Sequence, residues 1–308
     1  MDPVNSWKVF FVVIFFTLCI LGTLSNSLVV YIIHKNARRL PACSYFILSI
    51  AFSDLLSCSV PVPLSIAAHY QQSWPFGMAG CRTHAFMIFC LGLVSITHLT
   101  IIAVEKYLTI ARSVSKQSYF TKRQILLLIL ACWIYSLAFS VAPLLGWSKY
   151  GMEGTNDTCS IQWNSALPRD HAYFALMFFA CFFLPIASIA FCYYKIHKAS
   201  KRVVKRVMNI TFGETMNRAL LRKHRRGAMY FSSVIAAYII SWSPYAAVSI
   251  LAIFRVKVYP LVSSACGVLA KTSFLLNPIM YVAFSSNFRR LMMQAFTDSS
   301  QKQLTLNY

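Results

Sequence analysis

Seven apolar runs, each long enough to cross a bilayer, leave this chain little choice of architecture: about 8–34, 42–69, 83–109, 124–147, 170–194, 228–254 and 259–284. A hydrocarbon core of roughly 30 Å needs about 20 apolar residues of helix. No water is available inside it, so each segment must satisfy its own backbone groups. No ten-residue alternation points to a barrel, and the spans are therefore read as helices. Only 12% of the residues are charged, against about 25% in soluble domains. The expected fold is an all-α membrane protein, a seven-transmembrane helix bundle in one domain over 1–296. A short cytoplasmic interfacial helix is expected at about 286–296, where apolar and basic residues alternate around Phe288, Arg289, Arg290 and Leu291, and a tail follows at 297–308. The first run is too long for the apolar part of a cleaved signal peptide and reads as a signal anchor.

The net charge of +21 could suit nucleic acid, but its distribution argues for topology. Basic residues crowd three loops and the tail: Lys35, Arg38 and Arg39; Lys106, Arg112, Lys116, Lys122 and Arg123; the segment from Lys195 to Arg226; then Arg289, Arg290 and Lys302. The positive-inside rule puts these in the cytoplasm and the N-terminus outside. The expected location is a multi-pass protein of the plasma membrane, its basic face on anionic lipid, with no nucleic-acid role.

That orientation sorts the ten cysteines. Cys81 and Cys159 face the oxidising side and form the natural disulfide pair. The others read as small apolar packing residues. Asn156-Asp157-Thr158 is a glycosylation sequon in the same outer loop, whereas Asn209-Ile210-Thr211 lies inside and is unusable. No metal site is expected.

Several polar groups interrupt the apolar runs. Lys271 sits within 261–284, six residues before Asn277-Pro278-Ile279-Met280-Tyr281. A charged side chain at bilayer depth costs about 3 kcal/mol on insertion scales and marks a functional site by default. A buried amine also loses its proton more readily and can then condense with an aldehyde. Asn26, Asp54 and Asn277 need partners; they either hold helices together or form one element that rearranges. Pro143, Pro185, Pro244 and Pro278 each remove a backbone donor inside a run.

Asn26, Asp54, Trp133, Pro185, Trp242-Ser243-Pro244 and Asn277-Pro278-Ile279-Met280-Tyr281, spread over nearly the whole chain, resemble the markers of the rhodopsin-like G protein-coupled receptors. Cys81 and Cys159 match that family's disulfide between helix three and the second outer loop. A lysine six residues before Asn-Pro is its opsin signature. The resemblance therefore implies that Lys271 carries retinal, 11-cis or all-trans, as a Schiff base. It implies a pocket of Trp242, Tyr245, Gly92, Ile88, Met177 and Phe182, although ordinary helix packing accounts nearly as well for the last three. It further implies a heterotrimeric G protein as partner, with arrestin and a receptor kinase.

The protonated Schiff base needs an anion. Vertebrate visual opsins place a glutamate three residues after the helix-three cysteine, where this chain has His84. Glu153, six residues before Cys159, matches the counterion position of many non-visual and invertebrate opsins. His84 leaves a pH-sensitive or unprotonated linkage open. The usual acid-arginine-tyrosine run is Glu105-Lys106-Tyr107 here. Lysine lacks the planar fork of arginine, and His224 stands near the site of the acid that would pair with it. His84, Glu153 and Leu144-Leu145-Gly146-Trp147 look most like the neuropsin, peropsin and retinal-photoisomerase branch. The leading expectation is a light-sensing receptor and not an enzyme. A photoisomerase or retinal store and an ordinary ligand-activated receptor are the alternatives.

Overall fold

A computed structural model describes residues 3–112, 118–209, 233, 236–284, 288–295 and 297. Among them are seven helical spans: Trp7–Lys35, Ser44–Gln71, Gly77–Thr109, Lys122–Val141, Pro168–Ala199, Ala236–Ile253 and Pro260–Ala283. Length and apolar composition make each able to cross a membrane, so the chain is an integral multi-pass membrane protein. His224 and most of the basic third loop fall outside the described residues, as do 298–308. Residues 288–295 form a short helix after span seven, and its Phe288 and Leu291 pack with Tyr281, Val29 and Ile32.

Prolines shape the bundle, and in three places a neighbouring span takes up the carbonyl that a proline leaves without its donor. Span four ends at Val141, not near Trp147 as its hydropathy suggests. Pro143 has no N–H to offer the Phe139 carbonyl four residues earlier, which instead accepts from the Tyr173 hydroxyl of span five at 3.0 Å. Gly146, at φ +93°, then turns the chain. In span five, Phe178–Phe183 is a π-helical turn in which the Leu184 N–H reaches back to the Phe179 carbonyl. Pro185 cannot serve the Ala180 carbonyl either, and the Tyr135 hydroxyl of span four donates to it at 2.9 Å. In span seven, Pro278 deprives the Phe274 carbonyl, and Asn26 Nδ2 of span one donates to it at 3.0 Å.

Between spans four and five a hairpin folds back over the bundle. Strand β1 (Tyr150–Glu153) pairs antiparallel with β2 (Thr158–Ile161), Met152 opposite Cys159 and Glu153 opposite Thr158. Its turn runs through Gly154 and Asn156, both in the left-handed region, where glycine and asparagine are the tolerated residues. A Cβ on Gly154 would collide with the Ser264 hydroxyl of span seven. The Cys81–Cys159 disulfide, Cα–Cα 5.4 Å, fastens the hairpin to span three.

Candidate functional site: a buried lysine beneath the hairpin

Beneath the hairpin lies a largely apolar cavity that reaches from Lys271, Ala270 and Gly267 on span seven to Met177, Cys181 and Phe182 on span five. Ile88, Gly92, Trp242, Tyr245 and Glu153 line it as well. Span five contributes Met177, Phe178, Cys181 and Phe182, the last three from its π turn. Such turns recur at functional sites.

Lys271 is the last residue of a helix that runs Pro260–Lys271, and a second helix starts at Ser273. The amine is buried, 6% exposed, and Nζ lies 5.3 Å from the centroid of the Phe15 ring of span one. Trp242 packs close against span three because position 92 is glycine; a Cβ there would sit 2.8 Å from the indole Cη2. Its Nε1 donates to Ser273 Oγ at 3.2 Å, so the indole is tied to the break in span seven two residues past Lys271. Tyr238 stacks on it, 5.9 Å between centroids at 21°.

Glu153 reaches down from β1 and is gripped on both oxygens. Tyr245 Oη donates to Oε2 at 3.2 Å, and Ser263 Oγ donates to Oε1 at 3.2 Å. Trp163 Nε1 donates in turn to Tyr245 Oη at 3.3 Å. Burial pushes the Glu153 carboxyl above the usual carboxylate range, while hydrogen bonds from Ser160, Tyr245 and Ser263 and the Lys271 charge pull it back.

His84 does not line the cavity. It lies behind it, fully buried, with Nε2 3.0 Å from Ser65 Oγ of span two and its ring 4.9 Å from that of Trp74. Residue spacing along the chain did not reveal His69 or Asp157, which stand on the span-one side of Lys271. His69 Nε2 is 3.8 Å from Asp157 Oδ2, and both side chains are buried. Asp157 is one of only eight acidic residues, a scarcity that could have flagged it.

Deeper in the bundle, Asn277 Nδ2 donates to Asp54 Oδ2 at 2.7 Å and Ser95 Oγ to Oδ1 at 3.0 Å. Asn26 is bonded instead to the Gly22 and Phe274 carbonyls. Direct hydrogen bonds thus join Asp54 to Asn277, while Asn26 clamps backbone carbonyls of spans one and seven. Trp133 Nε1 donates to Ser49 Oγ at 3.0 Å.

At the far end of span three, Lys106 Nζ is 3.0 Å from Glu105 Oε2 and donates to Cys43 Sγ at 3.3 Å. Glu105 is fully buried and its Oε1 accepts from Thr109, Ser118 and the Tyr119 amide. Tyr107 packs edge-on against Phe191 of span five. Asn156 is exposed at the hairpin turn.

A seven-helix bundle with a buried lysine under a disulfide-fastened hairpin defines a class, and sequence comparison names it. The profile of the 7 transmembrane receptor (rhodopsin family) matches residues 25–281, and the chain belongs to that family. It is 31% identical over 280 residues to Melanopsin-A of Danio rerio, covering 89% of this chain and 47% of that protein. It is 30% identical over 283 residues to the Gq-coupled rhodopsin of Mizuhopecten yessoensis, covering 89% and 57%. The chain spans about half the length of these curated relatives. The crystal structure of squid rhodopsin superposes with a TM-score of 0.85 at 26% identity, over 96% of this chain and 87% of that one.

Proposed function

We propose that this chain is a light-sensing receptor that holds retinal on Lys271 and signals through a heterotrimeric G protein. The observation that carries the proposal is a buried primary amine opening into a long apolar cavity that a hydrogen-bonded carboxylate also lines. Amine and aldehyde condense with loss of one water, and retinal then supplies a light-driven change of shape. The residues fit it: an apolar slot from span seven to span five, and an indole that rests on Gly92 and is hydrogen-bonded beside the attachment point.

The protein's own groups do the rest. Glu153 supplies the negative charge for a cation at Lys271, and Tyr245 and Ser263 hold both carboxylate oxygens in place. The hairpin excludes water. Movement of the Trp242 indole would break its bond to Ser273 and release span six from span seven. At the other end, Lys106 must leave Glu105 before a partner can bind. One relative is described as a Gq-coupled rhodopsin, so the Gq class is the first to test, with arrestin and a receptor kinase as later partners. We place the single domain in the plasma membrane, N-terminus outside, basic loops and the 288–295 helix on cytoplasmic lipid. Which retinal isomer rests in the pocket is a matter for the same experiment.

Purified protein given 11-cis or all-trans retinal should show a band in the visible or near ultraviolet that Lys271→Ala loses. Illumination should raise nucleotide exchange on a G protein. A band that persists in Lys271→Ala overturns the attachment. A second reading, a retinal photoisomerase of the neuropsin–peropsin branch, is favoured by His84 beside the site and by Lys106 bonded to Glu105 and Cys43. Isomer conversion under light without nucleotide exchange would select it.

A further inference from the structure

Lys271 has a second acidic neighbour that no family marker predicts. Its Nζ lies over one side of the space around Phe15, at 5.3 Å from the ring centroid. The His69 ring stands against the same Phe15, 4.8 Å between centroids, and Phe11 closes the other edge at 5.6 Å. His69 in turn faces Asp157, Nε2 to Oδ2 3.8 Å. Asp157 is 7% exposed and His69 2%, and within the protein neither Nε2 of His69 nor Oδ1 of Asp157 has a hydrogen-bond partner. Buried polar atoms left so among the described residues are uncommon and call for an explanation.

The tautomer supplies one. His69 Nδ1 lies 2.9 Å from the Ser65 carbonyl, and a carbonyl only accepts, so Nδ1 carries a hydrogen. In a neutral ring Nε2 is then a lone pair, aimed at the oxygens of a carboxylate. Two acceptors facing each other at this depth repel unless one proton lies between them. With that proton the pair is neutral overall, as imidazolium with carboxylate or as imidazole with carboxylic acid. Without it the pair carries one negative charge.

We propose that His69 and Asp157 form a second counter-charge site for Lys271, neutral while it holds a proton and negative once that proton has left. The inference rests on the reading that Lys271 bears the chromophore. The charged and titratable groups around the site are His69 of span two, His84 of span three, Tyr245 of span six, Lys271 of span seven, and Glu153 and Asp157 of the hairpin; Phe11 and Phe15 of span one add none. Lys271 acts electrostatically on His69 and His84, and both Asp157 and Glu153 act on Lys271. Glu153 therefore balances the amine from the span-six side and the His69–Asp157 pair from the span-one side. A proton released from Lys271 has an acceptor in the pair, and each proton the pair holds weakens its grip on the cation.

The test uses full-length protein in detergent and two readouts. In retinal-free protein, reductive methylation with formaldehyde and cyanoborohydride, read at Lys271 by mass spectrometry, gives the pH midpoint of amine reactivity. In retinal-loaded protein, the pH midpoint of the conversion between the visible and ultraviolet bands reports the attached nitrogen. Asp157→Asn should lower both midpoints by about one pH unit, tenfold in proton affinity, as expected for a lost neighbouring charge. His69→Leu should raise them, because the carboxylate then faces Lys271 with no competing proton site. Midpoints unchanged in both variants overturn the proposal. If Asp157→Asn does not fold, His69→Leu decides alone, and an unmoved midpoint there is equally fatal. A wild-type protein that forms no band with retinal would defeat the chromophore reading and leave the methylation result to decide the pair.

Discussion

Lys271 is costly where it stands, and its surroundings show how the cost is met. The amine has an aromatic face beside it and carboxylates approaching from the hairpin. Glu153 is the better fixed of these, with a donor on each oxygen. Burial holds its carboxyl above the ordinary range, and the sign of the consequence follows. The folded protein keeps this proton at a pH where the unfolded chain has lost it, so stability attributable to Glu153 falls as pH rises through the window above the unfolded value. In retinal-free protein, Glu153→Gln should flatten that fall in a series of melting temperatures against pH. In loaded protein the same variant should shift the pH midpoint of the band. Gly92 is a second test at this scale. A methyl there meets a rigid indole at 2.8 Å, so Gly92→Ala should cost about 1–3 kcal/mol of stability, measured by thermal unfolding, and should move the band. Lys271, Glu153, the disulfide and Trp242 were legible from sequence because each is a rare residue type at a fixed distance from a marker. His69 and Asp157 were not, since neither spacing nor hydropathy reveals which loop carboxylate folds back onto a helix.

The spans are apolar enough to be found by hydropathy, but their ends and breaks are set by proline chemistry. Pro143, Pro185 and Pro278 each strand a carbonyl, and Tyr173, Tyr135 and Asn26 cover those carbonyls from a neighbouring span. Hydropathy carried span four to Trp147 because Leu144, Leu145 and Trp147 are apolar; the helix stops at Val141 because Pro143 has no N–H to continue it, and the next amides bond in turns to the Val141 and Ala142 carbonyls. The π turn of span five was likewise invisible as a pattern, although Pro185 was its local cause. A buried carbonyl left without a donor is costly in a medium that offers no water. Tyr135→Phe and Asn26→Ala should each lower stability by about 0.5–2 kcal/mol in detergent. Tyr135→Phe should also perturb ligand binding, since the π turn carries Phe178, Cys181 and Phe182. An unchanged melting curve and an unchanged band in that variant would show the clamp to be dispensable.

Across the whole molecule, the cavity under the hairpin and the Glu105–Lys106 pair sit at opposite ends of span three, with Asp54, Ser95 and Asn277 between them. Lys106 lacks the guanidinium fork and, among the described residues, reaches one carboxylate oxygen and one sulfur. Glu105→Gln should therefore raise light-independent nucleotide exchange by on the order of fivefold, the equivalent of about 1 kcal/mol; exchange equal to wild type would show that this contact restrains nothing. The hairpin adds a consequence of another kind. Glu153 and Asp157 lie on either side of its turn, which the bond from Cys159 to Cys81 fastens to span three while Tyr245 and Ser263 hold Glu153 to spans six and seven. The electrical environment of an amine inside the membrane is thus tied to an oxidation made at the membrane's edge. A chain that inserts and packs before that oxidation would hold its anions less firmly over its lysine, so the tuning of the proposed pigment should depend on passage through a compartment where thiols are joined.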